Sequence, residues 1–133
     1  MDYRIGDSAS LTRTFSGEDV ESFSHLSLDF NPLHLDEEYA KNGIFKKRIC
    51  HGFLVSSLIS AVLGTKLPGD GSIYLDQSLK FIRPVFWGDT ITANVEIVEI
   101  QNEKNIINLK TVCLNQMEKI VIEGMASMLV LKK

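Results

Sequence analysis

Residues 52 to 63, GFLVSSLISAVL, constrain this chain more than any other segment, because apolar side chains occupy every side of the helix they would form. Such a helix must be enclosed by protein. It falls short of the ~20 residues that a membrane span requires, and Ser56, Ser57 and Ser60 interrupt it, so burial within a folded domain is expected. Gly64 is the expected C-terminal stop.

Downstream of this helix the chain reads as strand. Residues 72 to 83 form a first long strand ending at Pro84. In the next, Ile91, Ala93, Val95 and Ile97 alternate with Thr92, Asn94 and Glu96, the period-two pattern of a sheet with one covered face. Residues 103 to 105 and 115 to 118 separate strands at 106–114 and 119–131 with hairpin spacing, so the sheet is expected to be mostly antiparallel. Four long strands after one enclosed helix give an α+β fold class. The last strand is apolar on both faces, which calls for loops or a second subunit, a homodimer, over the face the helix does not cover.

Upstream, a short strand is expected near residues 11 to 15. Ser16 then suits an N-cap, with Glu18 and Asp19 in the first turn and Val20, Phe23 and Leu26 on one face of a helix ending near Leu28. A short helix at 36–41 and an Asn42-Gly43 turn lead to the basic run Lys46-Lys47-Arg48. With 133 residues, 44% of them hydrophobic, and no repeat or linker, residues 1–133 read as a single domain.

The net charge of −3 argues against nucleic acid, whose phosphates reward concentrated Lys and Arg. Two cysteines, Cys50 and Cys113, are too few for a disulfide framework and are expected to be reduced thiols. No apolar run follows a basic start at the N-terminus, so export is not expected and the cytoplasm is.

Asp29 and His34 stand at the two ends of a loop stiffened by Pro32 and flanked by Leu28, Phe30, Leu33 and Leu35. A carboxylate and an imidazole sharing one water can remove a proton and return one. Asn31 can orient that water or brace the loop. Taken alone, Asp-x-Asn-Pro more often describes an ordinary turn, and His34 more often a structural histidine. Gly52, after Cys50 and His51, opens the enclosed helix, where unpaired N–H groups would polarise a carbonyl; tight packing explains the glycine equally well. Cys50 and His51 are neighbours that point in different directions, which disfavours a thiol–imidazole nucleophile. His25, His34, Cys50 and His51 show no metal-ligand spacing, so no metal is assigned. Ser56 and Ser60 lie one turn apart and either line a cleft or bond back to the helix. Lys46, Lys47 and Arg48, together with Lys80 and Arg83 on the first long strand, are candidates for phosphate contacts if they border the cleft and otherwise are solvated charges; Ser78 and Phe81 of that strand are further substrate-contact candidates.

FSHLSLDFNPLHLDEEYA, residues 23 to 40, resembles the signature segment of the (R)-specific enoyl-CoA hydratases, the MaoC-like hydratases. ICHGFLVSSLISAVLGTKLPG and GSIYLDQSLKFIRPVFWGDTITANVEI resemble the helix and strands of its short single-domain members, so the likeness covers nearly the whole chain. The resemblance implies a hot-dog fold, an antiparallel sheet wrapped around a long helix, usually dimeric, with an acyl thioester entering beside the subunit contact. It further implies that Asp29 and His34 activate the water, that the Gly52 amide polarises the thioester carbonyl, that Ser60 stands near the site, and that no cofactor is needed. The product would be an (R)-3-hydroxyacyl-CoA. Leu28 departs from the glycine that many members carry before the aspartate; only a modest effect on the water pocket is expected, since its side chain can point into the core of the preceding helix.

A dehydratase acting on acyl-carrier-protein substrates would use the same pair, and Lys46, Lys47 and Arg48 would serve either partner. A thioesterase on this fold generally needs a carboxylate on the enclosed helix, and residues 52–63 contain none. A non-catalytic acyl-CoA-binding module would give Asp29 and His34 no reason to face one cavity. Bulky Phe53, Leu54 and Leu58 are expected to shorten the acyl pocket.

Overall fold

A computed structural model describes residues 2–131. In chain order the elements are β1 (Ser8–Thr14), α1 (Gly17–Ser27), α2 (Pro32–Leu35), α3 (Glu37–Lys41), α4 (Gly52–Thr65), β2 (Ile73–Gln77), β3 (Lys80–Phe81), β4 (Thr90–Gln101), β5 (Ile106–Leu114) and β6 (Ile120–Leu129). The strands form one antiparallel sheet in the order β1-β4-β5-β6-β2, with β3 also pairing on β6. Helix α4 lies against this sheet, the α+β hot-dog arrangement.

The alternation in 91–97 has its physical cause in that packing. Ile91, Ala93, Val95 and Ile97 of β4 are fully buried, as are Ile107 and Leu109 of β5, and they meet Val55, Ile59, Val62 and Leu63 of α4. A fully buried aliphatic side chain contributes ~1.5–3 kcal/mol, so this contact is the main source of stability.

Four details differ from the sequence expectations. The first long strand is broken after Gln77, because the Ser78 carbonyl presses onto the β6 backbone at Gly124, where an added Cβ would stand 1.8 Å from that oxygen. Glycine inside a strand marks such a close approach. Gly64 lies within α4, which runs on to Thr65; the amides of Lys66 and Leu67 both donate to the Val62 carbonyl, and Pro68 then stops the helix. α4 is also enclosed on one side only, since Phe53, Ser57 and Ser60 form an exposed stripe at helical spacing.

The fourth concerns Leu28. α1 starts as expected, at a capping box in which Ser16 and Asp19 exchange hydrogen bonds, but it ends with Leu28 in the left-handed region, φ 68°, its amide donating to the Ser24 carbonyl. The side chain is 77% exposed and enters no core. A left-handed C-terminal residue is usually glycine because a Cβ there is strained. Leu28→Gly is therefore expected to raise unfolding stability by ~1 kcal/mol, read from the urea midpoint; a lowered midpoint would show that the leucine is stabilising.

Candidate active site

The loop after α1 is built by its own side chains. Asp29 Oδ1 accepts from the Asn31 amide, Ser27 Oγ accepts from the Asp29 amide, and Asn31 Oδ1 accepts from the Leu33 amide as the N-cap of α2, with Pro32 in its first turn. Asn31 is thus committed to bracing the loop. His34, 8% exposed, is fixed from the other direction, its Nδ1 lying 2.8 Å from the Ile49 carbonyl. A carbonyl oxygen only accepts, so Nδ1 carries the hydrogen and Nε2 presents a lone pair.

Asp29, His34 and His51 each offer a donor atom within 4.8 Å of the others. A water bonded to two groups at about 2.8 Å each bridges about 4.6 Å, so this spacing suits one shared water between Asp29 and His34. The set is a poor fit to a metal: the His34 and His51 rings stack at 3.9 Å with planes 28° apart, so their lone pairs run side by side rather than converging, and His51 Nε2 already lies 3.1 Å from the Asp29 carbonyl.

Asp29, His34, Gly52, Phe53, Phe81 and Arg83 border one cavity of about 630 Å³, with Val55 and Ile122 among its apolar lining. Gly52 begins α4, whose N-terminus receives no side-chain cap, leaving its first amides without that partner and at the positive end of the helix dipole. A packing reason for the glycine is also present: a Cβ at residue 52 would meet the Phe81 ring at 2.4 Å. Phe81 in turn meets Phe53 edge-on, 6.4 Å between centroids.

Other expected contacts lie elsewhere. Ser60 faces a separate cavity of about 360 Å³ with Ser56, Tyr74 and Gln77, so within one chain it does not join Asp29 and His34. Ser56 bonds back to the Phe53 carbonyl. Ser78 Oγ accepts from the Met125 amide, taking the place of a strand partner at the break. Lys80 is exposed on β3 opposite Glu123 and does not line the cavity. Arg83 does, while one of its nitrogens donates to the Ile120 carbonyl.

The basic run is also apart from the cleft. Arg48 stacks on Trp87 at 3.7 Å and Lys47 lies 5.0 Å from the Phe86 ring centroid, beside Glu37 and Asp89, so Lys46, Lys47 and Arg48 do not gather with Arg83. The stems of Lys47 and Arg48 instead cover the aromatic surface of Phe86 and Trp87. Leu54 and Leu58 line a groove against α1 and do not close the site cavity. Sequence reasoning overlooked Phe23 and Ser24, which pack on His51 from α1; a separation of 27 residues left no periodic signal for that contact.

With this geometry in view, comparisons with known proteins are specific. The family model described as "MaoC like domain" matches residues 4–126. An (R)-specific enoyl-CoA hydratase of Rhodospirillum rubrum is 49% identical over 129 residues, 97% of this chain and 89% of that protein. A mitochondrial 3-hydroxyacyl-[acyl-carrier-protein] dehydratase of Arabidopsis thaliana is 39% identical over 127 residues, 93% of this chain and 75% of that one. Among solved structures, the (R)-hydratase from A. caviae involved in PHA biosynthesis superposes with a TM-score of 0.95 at 42% identity, covering 98% of both chains.

Cys50, though beside the site, is buried, and burial first, then the charges of Asp89 and Asp19, push its thiol up to about 12; burial does the same to Cys113. Both stay protonated at neutral pH and make poor nucleophiles. Native protein at pH 8 is expected to give no rapid reaction with a disulfide thiol reagent and two equivalents after unfolding; one fast equivalent in the native state would reopen a thiol role for Cys50.

Proposed function

The chain belongs to the MaoC-like domain family, and on that premise we propose that Asp29 and His34 are the groups through which it hydrates trans-2-enoyl-CoA to (R)-3-hydroxyacyl-CoA. It is a hydro-lyase, an (R)-specific enoyl-CoA hydratase acting on CoA thioesters. The observation that carries the residue assignment is the spacing of Asp29 and His34, 4.8 Å or less, in a cavity that also receives the uncapped start of α4.

The chemistry is set by those positions. A water between the two groups donates one hydrogen bond to the Asp29 carboxylate and the other to His34 Nε2. As its oxygen bonds to C3, the O–H facing His34 breaks and the proton moves to Nε2. The C2=C3 electron pair shifts toward the thioester, whose oxygen gains negative charge beside the Gly52 amide. The imidazolium then returns its proton to C2 on the same face, which makes the addition syn and restores neutral His34. Nothing in this cycle needs a cofactor. Arg83 at the cavity is the candidate for a CoA phosphate, and Phe81 and Phe53 are candidates for contact with the thioester arm. Val55 and Ile122 offer apolar surface to the acyl group, which this reading takes to be short.

The proposal includes a homodimer. β2 is the sheet's edge, with Ile73 and Leu75 exposed, and the uncovered α4 stripe at Phe53, Ser57 and Ser60 lies beside it. A second copy would cover both features and bring Ser60 toward a shared site. Residues 1–133 as one domain, and a cytoplasmic location, where unpaired buried thiols persist, belong to the same reading; among the described residues no helix is long and apolar enough to cross a membrane. The acyl-carrier-protein dehydratase reading shares all of this chemistry and is supported by the plant relative. A thioesterase is less well supported, because α4 carries no carboxylate.

Purified protein is expected to hydrate crotonyl-CoA, and Asp29→Asn and His34→Ala each to lower kcat by ~10²–10⁴-fold with unchanged circular dichroism. Both variants at full activity would remove the mechanism. Free thiol released in parallel would favour the thioesterase, and faster turnover of a carrier-protein thioester than of its CoA counterpart would favour the dehydratase.

A further inference from the structure

His51 takes no part in the chemistry above, yet its ring is only 2% exposed. It is the N-cap residue of α4 and forms no side-chain cap there. A buried polar ring with no capping role needs another reason for its polarity.

Its contacts supply one. Nε2 lies 3.1 Å from the Asp29 main-chain carbonyl and 3.1 Å from Ser24 Oγ, one face of the ring stacks on His34, and Phe23 stands edge-on at 4.8 Å. Because a carbonyl only accepts, the Asp29 contact requires the hydrogen on Nε2. Nδ1 then holds a lone pair, and it is buried with no partner among the described residues. Moving the hydrogen to Nδ1 would turn a lone pair toward the Asp29 carbonyl and bury an N–H without an acceptor. Adding a second proton is also opposed: burial pushes the ring below the usual imidazole range, the hydrogen bond to the Asp29 carbonyl resists this, and His34 adds to the lowering. His51 is therefore a neutral ring with one defined tautomer.

The two members of the water-binding pair are held unequally. His34 is tied by its own ring to Ile49. Asp29 is exposed on its loop, and among the described residues its carbonyl accepts from no donor except His51. We propose that His51 is a positioning residue, whose Nε2–H anchors the Asp29 carbonyl while its ring backs His34, so that carboxylate and imidazole keep the separation that one water can span. This rests on the hydratase reading, and it assigns to His51, which borders the same cavity, work done through Asp29 and His34 rather than on the substrate.

Two substitutions separate this role from plain packing. His51→Phe keeps a ring beside His34 and removes the donor, while His51→Gln returns an N–H near the place of Nε2 without the ring. With crotonyl-CoA, His51→Phe is expected to lower kcat by ~10²-fold and to move KM by less than about threefold, and His51→Gln to recover at least about tenfold of that loss. A His51→Phe enzyme within about twofold of wild type, or a His51→Gln enzyme as slow as His51→Phe, overturns the proposal. Side-chain ¹⁵N spectra of the wild-type protein at neutral pH, assigned with His51→Gln, need no activity and serve if His51→Phe fails to fold. They are expected to show the Nε2–H tautomer of His51, and an Nδ1–H tautomer or an imidazolium overturns the assignment. Wild-type protein that hydrates no enoyl-CoA would sink the hydratase reading instead, whereas active wild type with an indifferent His51→Phe sinks only the role of His51.

Discussion

The packing of α4 against β4 and β5 is the contact from which everything else takes its position. Val55, Ile59, Val62 and Leu63 cannot be solvated at tolerable cost, so the sheet must lie along the helix, and that fixes where its N-terminus emerges. The emerging end carries His51 and Gly52, and the segment just before it carries Ile49. A purely apolar contact thus sets the location of the polar groups. The site has little independent structure: it is what gathers around one end of the core.

Two hydrogen bonds to main-chain carbonyls then attach the loop that carries Asp29 and His34 to that end. His34 reaches the Ile49 carbonyl and His51 reaches the Asp29 carbonyl, so the loop after α1 and the start of α4 each lend a ring to the other's backbone. The stacked imidazoles lie between. Loop residues that carry chemistry need this sort of support, because a loop supplies few contacts of its own. Asn31 and Pro32 shape the turn locally, and the histidines dock it.

How much was legible in the sequence depends on the range of each interaction. Alternation at 91–97 sufficed for β4 because burial on one face imposes a period of two, and Ser16 with Asp19 sufficed for the start of α1 because capping is local. Asp29 and His34 were visible because they flank a single proline-stiffened loop. The features that could not be read arise from tertiary approach. The break at Ser78 needs the Gly124 backbone across the sheet, the fate of Lys46, Lys47 and Arg48 depends on where Phe86 and Trp87 arrive, and Ser60 proved to face a different cavity from the pair it was grouped with. The partners of His51 lie on α1 and the loop, contacts that neither its neighbour Cys50 nor a metal-ligand spacing signals. Leu28 shows the opposite limit: its hydrophobicity allows a place in the core of α1, but backbone geometry governs that position and leaves the side chain exposed.

The ring of Phe81 rests over Gly52 so closely that a side chain there would require the ring to move. These positions lie on different elements and neither can vary alone: a larger residue at 52 demands a smaller one at 81, and a smaller residue at 81 uncovers the helix start. A redesign of the cavity mouth for larger substrates therefore has to treat residues 52 and 81 as a pair.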